Sequence, residues 1–145
     1  MPKPRPSRPY DVVLYGASGF VGRQTVAYFA RQAGGPRWAV AGRSAARLQA
    51  VRQACGAAQA GVVVADAADA AALDALAAQA RVVLSTAGPF ARHGSELVAA
   101  CVRHGTHYVD ITGETPWVRE MIERHHDAAA RRGTRIVPGC GFDCV

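Results

Sequence analysis

Three glycines at a regular spacing form the most informative motif. Gly16, Gly19 and Gly22 stand in the run GASGFVG, which follows a short apolar segment and opens a segment with helical periodicity. In such a turn the first glycine permits a tight bend, the second lets a diphosphate approach the backbone, and the third lets the helix pack closely on the sheet. The N–H groups of the first helical turn then bind the anion. The strand–turn–helix context predicts a dinucleotide site; the alternative is a glycine-rich turn without a ligand.

The residues after the second apolar segment distinguish between two dinucleotides. NAD-binding domains place an acidic residue there for the ribose 2′-hydroxyl, but this sequence reads AGRS at 41–44. Arg43 carries a planar, permanently charged guanidinium that suits a 2′-phosphate, and Ser44 adds a hydroxyl. The sequence therefore predicts NADP(H) in preference to NAD(H), the alternative being that Arg43 is only a solvated surface residue.

Asp66 ends the third apolar segment, at the position where such folds often contact adenine. A cap or turn residue ahead of Asp69 would occupy the same place, and the sequence leaves both interpretations open.

Three glycine-containing loops follow the later strands, at residues 86–90, 112–114 and 138–143. Ligands bind outside the carboxyl ends of parallel strands, so these loops should border the cofactor, the first of them beside the nicotinamide ribose or the diphosphate. Acid–base or nucleophilic groups available there are His93, Glu114, Cys140 and Asp143. Each is individually more typical of a helix cap or a packing residue. The catalytic residues therefore stay unassigned, with Glu114, Cys140 and Asp143 as candidates.

Some chemistries are excluded by residue counts. Lys3 is the only lysine among 17 basic residues, so no Tyr-x-x-x-Lys pair of short-chain dehydrogenases and no Schiff-base lysine can lie in the crevice. The four cysteines (Cys55, Cys101, Cys140, Cys144) form no CxxC pair, which favours reduced structural thiols over a metal site. No metal is expected, and the pair His125-His126 is interpreted as solvent-facing.

The net charge of +6 falls to +3 once Lys3, Arg5 and Arg8 are set aside, and the remaining arginines are scattered. Without a basic cluster interleaved with aromatic residues, nucleic-acid binding is not expected. No apolar run reaches the ~20 residues of a membrane span, and no secretory signal is recognisable. The four prolines in residues 1–9 predict a disordered leader, and the expected location is the cytoplasm.

Apolar runs and helical patterns alternate along the rest of the chain. Runs apolar on both faces are typical of buried parallel strands; they lie at 11–15, 38–41, 61–65, 81–85, 107–111 and 135–137. Helices are predicted at 19–33, 45–55, 70–80, 95–104 and 116–132, with N-caps at Ser44, Asp69 and Thr115. Gly105 and Gly133 would end the last two. This order predicts an α/β domain over 10–145 of the Rossmann type: a doubly wound, mostly parallel sheet of about six strands with helices on both faces.

Several of these segments resemble one family. GASGFVG, AGR, the block STAGPFARHGSELVAACVRHGTHYVDITGE and VPGCGFD together resemble the N-terminal NADP-binding domain of saccharopine dehydrogenase-like oxidoreductases, within which they are most similar to the bacterial trans-acting enoyl reductase branch. The similarity runs from Tyr10 to Val145. It implies a diphosphate loop at Gly16, Ser18, Gly19, Phe20 and Val21, a phosphate contact at Arg43, and a cofactor loop at Ala87, Gly88 and Pro89.

The resemblance also implies a second, C-terminal domain that this fragment lacks. That domain would hold a small-molecule or lipid-like substrate and form a homodimer. The complete protein is then expected to transfer hydride from NADPH to a C=N, C=C or C=O bond, and the fragment alone to be inactive. The alternatives are a non-enzymatic NAD(P)-binding sensor and an NmrA-like atypical short-chain reductase, the latter fitting the VDITGE and GFD loops poorly.

Overall fold

Strands and helices alternate along residues 7–141, the part of the chain that the computed structural model describes. The strands in this part are β1 Tyr10–Tyr15, β2 Trp38–Gly42, β3 Gly61–Val64, β4 Ala80–Ser85, β5 His107–Asp110 and β6 Ile136–Val137. The helices are α1 Phe20–Ala30, α2 Ala45–Ala54, α3 Ala70–Gln79, α4 Phe90–His93, α5 Ser95–His104 and α6 Thr115–Arg132.

The strands form one parallel sheet in the order β3-β2-β1-β4-β5-β6. This is the strand order of dinucleotide-binding domains, in which the chain winds outward in one direction from β1 and then in the other from β4. The predicted Rossmann-type α/β fold is thus confirmed. The carboxyl ends of all these strands meet at one edge, and the switch point lies between β1 and β4.

Two apolar clusters cover the two faces of the sheet. Val13 and Tyr15 point to the face covered by α3, α5 and α6, whereas Leu14, between them in the sequence, packs with Val26 of α1 and Leu48 of α2. All but Tyr15, which is 4% exposed, are completely buried. Complete burial of such an aliphatic side chain stabilises a fold by about 1.5–3 kcal/mol. The central residues of β1, predicted to be apolar on both faces, are therefore buried on both faces.

Local capping explains where several helices begin and end. The Ser44 hydroxyl accepts a bond from the Arg47 N–H, and the Asp69 carboxylate accepts one from the Ala72 N–H, as predicted. Gly105 and Gly133 take the left-handed conformation at the ends of α5 and α6, which glycine adopts without steric cost.

Three details of the helix predictions were wrong. Helix α1 ends at Ala30 rather than residue 33, because Arg31 and Gln32 turn more tightly, their N–H groups bonding to the carbonyls three residues earlier. Helix α6 begins at Thr115, so Thr115 is not its cap. The short helix α4 was missed altogether, since its stabilising contact comes from a residue distant in the sequence.

The expected leader at residues 1–9 lies largely outside the described residues. Within its described part, the Arg8 guanidinium donates to the carbonyl oxygens of Ala77 and Ala80 in the α3–β4 turn. It also donates to the His104 carbonyl at 2.5 Å and to the Thr106 hydroxyl. Arg8 is thus joined to the folded domain.

We expect Gly22→Ala to lower the free energy of unfolding by about 1–3 kcal/mol, as overpacking usually does. A methyl group at this position would lie 2.1 Å from the Gly16 carbonyl oxygen and 2.8 Å from Ala17 Cα. Backbone atoms cannot move aside as a side chain can. Urea unfolding measures the change.

Gly19→Ala is the matched control for that substitution, since its methyl group would approach nothing closer than 3.4 Å. The control should change stability by less than about 1 kcal/mol. Equal stability of the Gly22→Ala variant and the wild-type chain would contradict the close packing of α1 on β1.

Candidate cofactor site

A cleft of about 250 Å³ opens at the carboxyl edge of the sheet, over the switch point between β1 and β4. Its lining comes from loops that follow four segments distant in the sequence: Tyr15, Gly16, Ser18, Gly42, Arg43, Asp66, Ala67, Ala87, Gly88 and His93. The cleft therefore brings together six of the residues predicted to bind cofactor, namely Gly16, Ser18, Arg43, Asp66, Ala87 and Gly88. Tyr15 and Ala67 are additional lining residues that the sequence analysis did not single out.

The glycine turn has the backbone geometry of an anion site. Gly16 has φ +82° and donates its N–H to the Ala41 carbonyl, which ties the turn to β2. Gly19 is the N-cap of α1 and, having no side chain, leaves the N–H groups of the first turn without a side-chain acceptor. Such N–H groups, at the positive end of a helix dipole, bind phosphate.

Phe20 and Val21 follow the turn and are exposed. Phe20 is 84% exposed although it is aromatic. Gly22 is buried, and its role is close packing on Gly16 and Ala17 rather than cleft lining. The three residues thus lie beside the turn but outside the cleft wall, and their contact with a cofactor stays a prediction.

Arg43 and Asp66 follow β2 and β3 and line the cleft on that side of the glycine turn, near the Tyr15 hydroxyl. That hydroxyl donates to the Ala65 carbonyl at 3.2 Å. Burial, together with the Asp66 charge and opposed by the Arg43 charge, raises the pKa of Tyr15 to about 12. Tyr15 is therefore a neutral hydrogen-bonding group at physiological pH, flanked by one cationic and one anionic side chain.

Ser44 and Asp66 both have local structural roles. The Ser44 oxygen caps α2, and Asp66 Oδ1 accepts a hydrogen bond from the Ala68 N–H at 2.9 Å. Asp66 therefore acts as a turn residue and also lines the cleft. Its proposed adenine contact and the contribution of Ser44 to phosphate binding stay predictions.

The loop between β4 and α4 borders the cleft on the other side of the glycine turn from Arg43, as the strand order β2-β1-β4 requires. The Thr86 hydroxyl donates toward the Gly16 carbonyl at 3.2 Å, and the Ala87 N–H donates to the Ser85 hydroxyl at 3.4 Å. Pro89 precedes α4 as its N-cap, is exposed, and does not line the cleft. The loop is thus attached directly to the glycine turn.

Glu114 binds backbone with both of its carboxylate oxygens. Oε1 accepts a hydrogen bond from the Phe90 N–H at 2.6 Å, and Oε2 accepts one from the Ala91 N–H at 2.9 Å. Glu114 therefore caps α4 from 24 residues away in the sequence. This engaged carboxylate has the geometry of a cap, one of the two alternatives that the sequence left open.

The other reactive groups are placed unequally around the cleft. Cys140 is exposed, its N–H donates to the Asp110 carbonyl, and its thiol donates to the Val137 carbonyl at 3.3 Å. Asp143 and Cys144 lie outside the described residues. His93, on α4, is the one of the four candidate groups that lines the cleft within the described residues.

Asp110 is a buried carboxylate that the sequence analysis missed. It is 1% exposed and accepts hydrogen bonds from the Tyr108 hydroxyl at 2.7 Å, the Thr112 N–H at 3.0 Å and the Gly139 N–H at 2.8 Å. Burial, reinforced by the Asp110 charge, raises the pKa of Tyr108. The sequence did contain a sign of this role, because an aspartate side chain often accepts a hydrogen bond from the backbone N–H two residues later and so forms a turn.

Candidate metal ligands do not assemble within residues 7–141, where no group of three or more His, Cys, Asp or Glu side chains lies close enough to hold an ion. Cys101 is buried, and this burial raises the pKa of its thiol. His125 is half-buried rather than solvent-facing, and burial lowers its pKa, whereas His126 is exposed. In the same described range, no helix is both long and apolar enough to cross a membrane.

Comparison with known proteins identifies the family. The model of the saccharopine dehydrogenase NADP-binding domain matches residues 12–137. The chain belongs to this family. NADP is thus the cofactor class of the domain, in agreement with the prediction from Arg43 and from the absence of an acid after β2.

Two similar proteins come from mycobacteria. A protein of Mycobacterium tuberculosis provisionally named a trans-acting enoyl reductase is 51% identical over 95% of this chain and 33% of its own length. The trans-acting enoyl reductase of Mycobacterium leprae is 48% identical over 95% of this chain and 34% of its own. The chain therefore spans about a third of the length of each of these two relatives.

A solved structure gives the same family. Apo saccharopine dehydrogenase (L-Glu forming) from Saccharomyces cerevisiae superposes with a TM-score of 0.73 and 25% identity, over 90% of this chain and 27% of that one. The predicted resemblance, to saccharopine dehydrogenase-like proteins and to the enoyl reductase branch, is confirmed.

We expect Gly19→Val to abolish measurable NADPH binding while leaving the fold intact. The backbone at Gly19 is extended (φ −76°, ψ 177°), so valine is tolerated there. Its side chain would occupy the space from which the α1 N–H groups reach a phosphate. Titration monitored by NADPH fluorescence, beside circular dichroism of the same sample, measures both effects. Unchanged affinity would remove the glycine turn from the binding site.

Proposed function

We propose that this chain is the cofactor-binding part of an NADPH-dependent oxidoreductase of the enoyl reductase type. The observation that carries the proposal is the cleft in which Gly16 and Ser18 of the turn that opens α1, the Arg43 side chain and the loop containing Ala87 and Gly88 face one another. Each of these features suits a different portion of NADPH, and their order along the cleft matches the order of those portions in an extended dinucleotide.

The chain's contribution is binding and orientation. The N–H groups at the start of α1 hold the diphosphate, and the Arg43 guanidinium pairs with the 2′-phosphate. The loop with Ala87 and Gly88 borders the nicotinamide half. Bound NADPH supplies the hydride, and the protein sets its position relative to a substrate.

The substrate is proposed to carry a C=C bond of an enoyl group, in keeping with the names of the mycobacterial relatives. A C=N or C=O bond is the alternative that the wider family suggests. Since those relatives are about three times as long as this chain, we propose that the region they have in addition holds a small-molecule or lipid-like substrate and forms a homodimer. A cytoplasmic location is proposed for the complete enzyme.

We expect the chain to bind NADPH at least tenfold more tightly than NADH, and Arg43→Ala to remove most of that difference. A charged hydrogen bond to phosphate contributes about 1.5–3 kcal/mol, which corresponds to roughly 10- to 150-fold in affinity. NADH affinity should stay nearly constant in the variant. Isothermal titration with both cofactors measures the four values.

Arg119→Ala is the matched control for this experiment. It removes the same charge from the outer face of α6, where Arg119 is 83% exposed and pairs with Glu123. The control should keep the wild-type preference. Equal affinity of the wild-type chain for the two cofactors, or tighter NADH binding, would reject the role of Arg43.

The 145-residue chain should bind NADPH without oxidising it. Glu114 is engaged with backbone, and the proposed substrate region belongs to the longer relatives. Absorbance at the reduced nicotinamide band, with a simple enoyl, imine or carbonyl compound added, monitors turnover. Sustained oxidation by this chain would contradict the proposal that a further region supplies the substrate site. A longer homologous chain that binds NADPH but turns over no such substrate would favour the sensor function instead.

A further inference from the structure

A series of hydrogen bonds joins the end of β5 to the loop that borders the nicotinamide half of the cleft. It begins at two buried side chains, Ser85 and Asp110, which are register partners at the ends of β4 and β5. The Tyr108 hydroxyl donates to Asp110 at 2.7 Å, and the Ser85 hydroxyl accepts the Ala87 N–H at 3.4 Å. Both strand ends at this side of the sheet are therefore fixed by buried polar contacts.

Asp110 extends the series into the β5–α6 loop. One of its oxygens accepts hydrogen bonds from the Thr112 N–H and the Gly139 N–H. The Thr112 hydroxyl, on a residue only 4% exposed, accepts a bond from the Glu114 N–H at 3.0 Å. The backbone N–H of Glu114 is therefore held in place independently of the contacts that its side chain makes.

The Glu114 carboxylate then reaches across to another loop. It accepts the N–H groups of Phe90 and Ala91, the first two residues of α4. Phe90 is buried, and its ring packs against Trp117 of α6 with the centroids 5.7 Å apart. The start of α4 is therefore fixed from the same side by a carboxylate and by an aromatic contact.

This contact has two consequences for the cleft. Residues 87–89 directly precede the two held N–H groups, so their path is set by Glu114 at one end and by β4 at the other. In addition, the N–H groups of Phe90 and Ala91 already have an anionic acceptor. Among α1, α2, α3 and α4, which all begin at this edge of the sheet, α1 is thus the helix whose first turn lacks a side-chain acceptor.

We propose that Glu114 is a positioning residue for the nicotinamide half of NADP(H). It acts through Phe90 and Ala91 on the loop of Ala87, Gly88 and Pro89, which lies between Glu114 and the cleft. The adenosine half, held by Arg43 at the other side, should not depend on it. This inference rests on the proposed function, since it assumes that NADP(H) occupies the cleft.

The test compares a whole cofactor with a fragment of it. Glu114→Gln keeps the size of the side chain but turns one acceptor oxygen into an N–H₂ donor facing a backbone N–H. NADPH carries both halves, whereas 2′,5′-ADP carries the adenosine and 2′-phosphate and lacks the nicotinamide. We expect the variant to bind NADPH about tenfold more weakly, the effect of one lost charged hydrogen bond, and to bind 2′,5′-ADP within twofold of wild type. Isothermal titration of the 145-residue chain with each compound gives the affinities.

A matched control and a second variant complete the experiment. Glu123→Gln makes the same change on the exposed face of α6, where Glu123 pairs with Arg119, and should leave both affinities unchanged. Thr112→Val removes the hydroxyl that accepts the Glu114 N–H while keeping the shape of the side chain. It should weaken NADPH binding in the same selective manner, and it replaces the first variant if Glu114→Gln fails to fold.

The outcomes separate this inference from the function on which it rests. Selective loss of NADPH affinity supports the positioning role. Equal weakening of NADPH and 2′,5′-ADP would show that Glu114 only stabilises the domain, and unchanged NADPH affinity would overturn the inference outright. A wild-type chain that binds neither compound would reject the proposed function itself, and the inference with it.

Discussion

Close contact between two loops at the switch point of the sheet is the constraint on which the rest of the site depends. A methyl group on Gly16 would lie 2.9 Å from Ala87 Cβ, and the Thr86 N–H donates to the Tyr15 carbonyl at 2.9 Å. β1 and β4 are neighbours, but their helices leave toward opposite faces of the sheet, so the two loops diverge immediately after this contact. The cleft is the space that this divergence opens.

The N-termini of α1 and α4, two helices that begin beside the cleft, differ in their electrostatic roles. The N-terminus of α1 is capped by a glycine and offers N–H groups to an external anion. The N-terminus of α4 receives the carboxylate of Glu114 from within the protein. A carboxylate at this position satisfies donors that would otherwise be open to an anion, so of these two helices it is α1 whose first N–H groups remain without a side-chain acceptor.

Buried polar groups stabilise the part of the sheet that contains the short strands β5 and β6. β5 has four residues and β6 only two, so few ladder hydrogen bonds hold this side of the sheet. Asp110 compensates by joining the end of β5 to the loops that follow β5 and β6, through Thr112 and Gly139. A buried carboxylate is tolerated because hydrogen-bond donors surround it.

The sequence alone was sufficient to predict the fold class, the NADP cofactor, and the glycine turn and Arg43 as parts of the site. Apolar runs, caps and glycines act over a few residues, so their meaning is local: GASGFVG predicts its turn, Ser44 and Asp69 predict their helices, and Arg43 follows β2 directly. The family resemblance rested on such local motifs as well, and it was confirmed.

The roles of Glu114, Asp110 and α4 follow from contacts that form only in the folded chain. Glu114 contacts residues 24 positions away, and Asp110 contacts Gly139, 29 positions away. Such pairs are brought together by the crossover from β4 through α5 to β5 and onward to β6, which no periodicity encodes. The sequence does not distinguish a catalytic carboxylate from a capping carboxylate in a glycine-rich loop. The positions of the backbone N–H groups around it do.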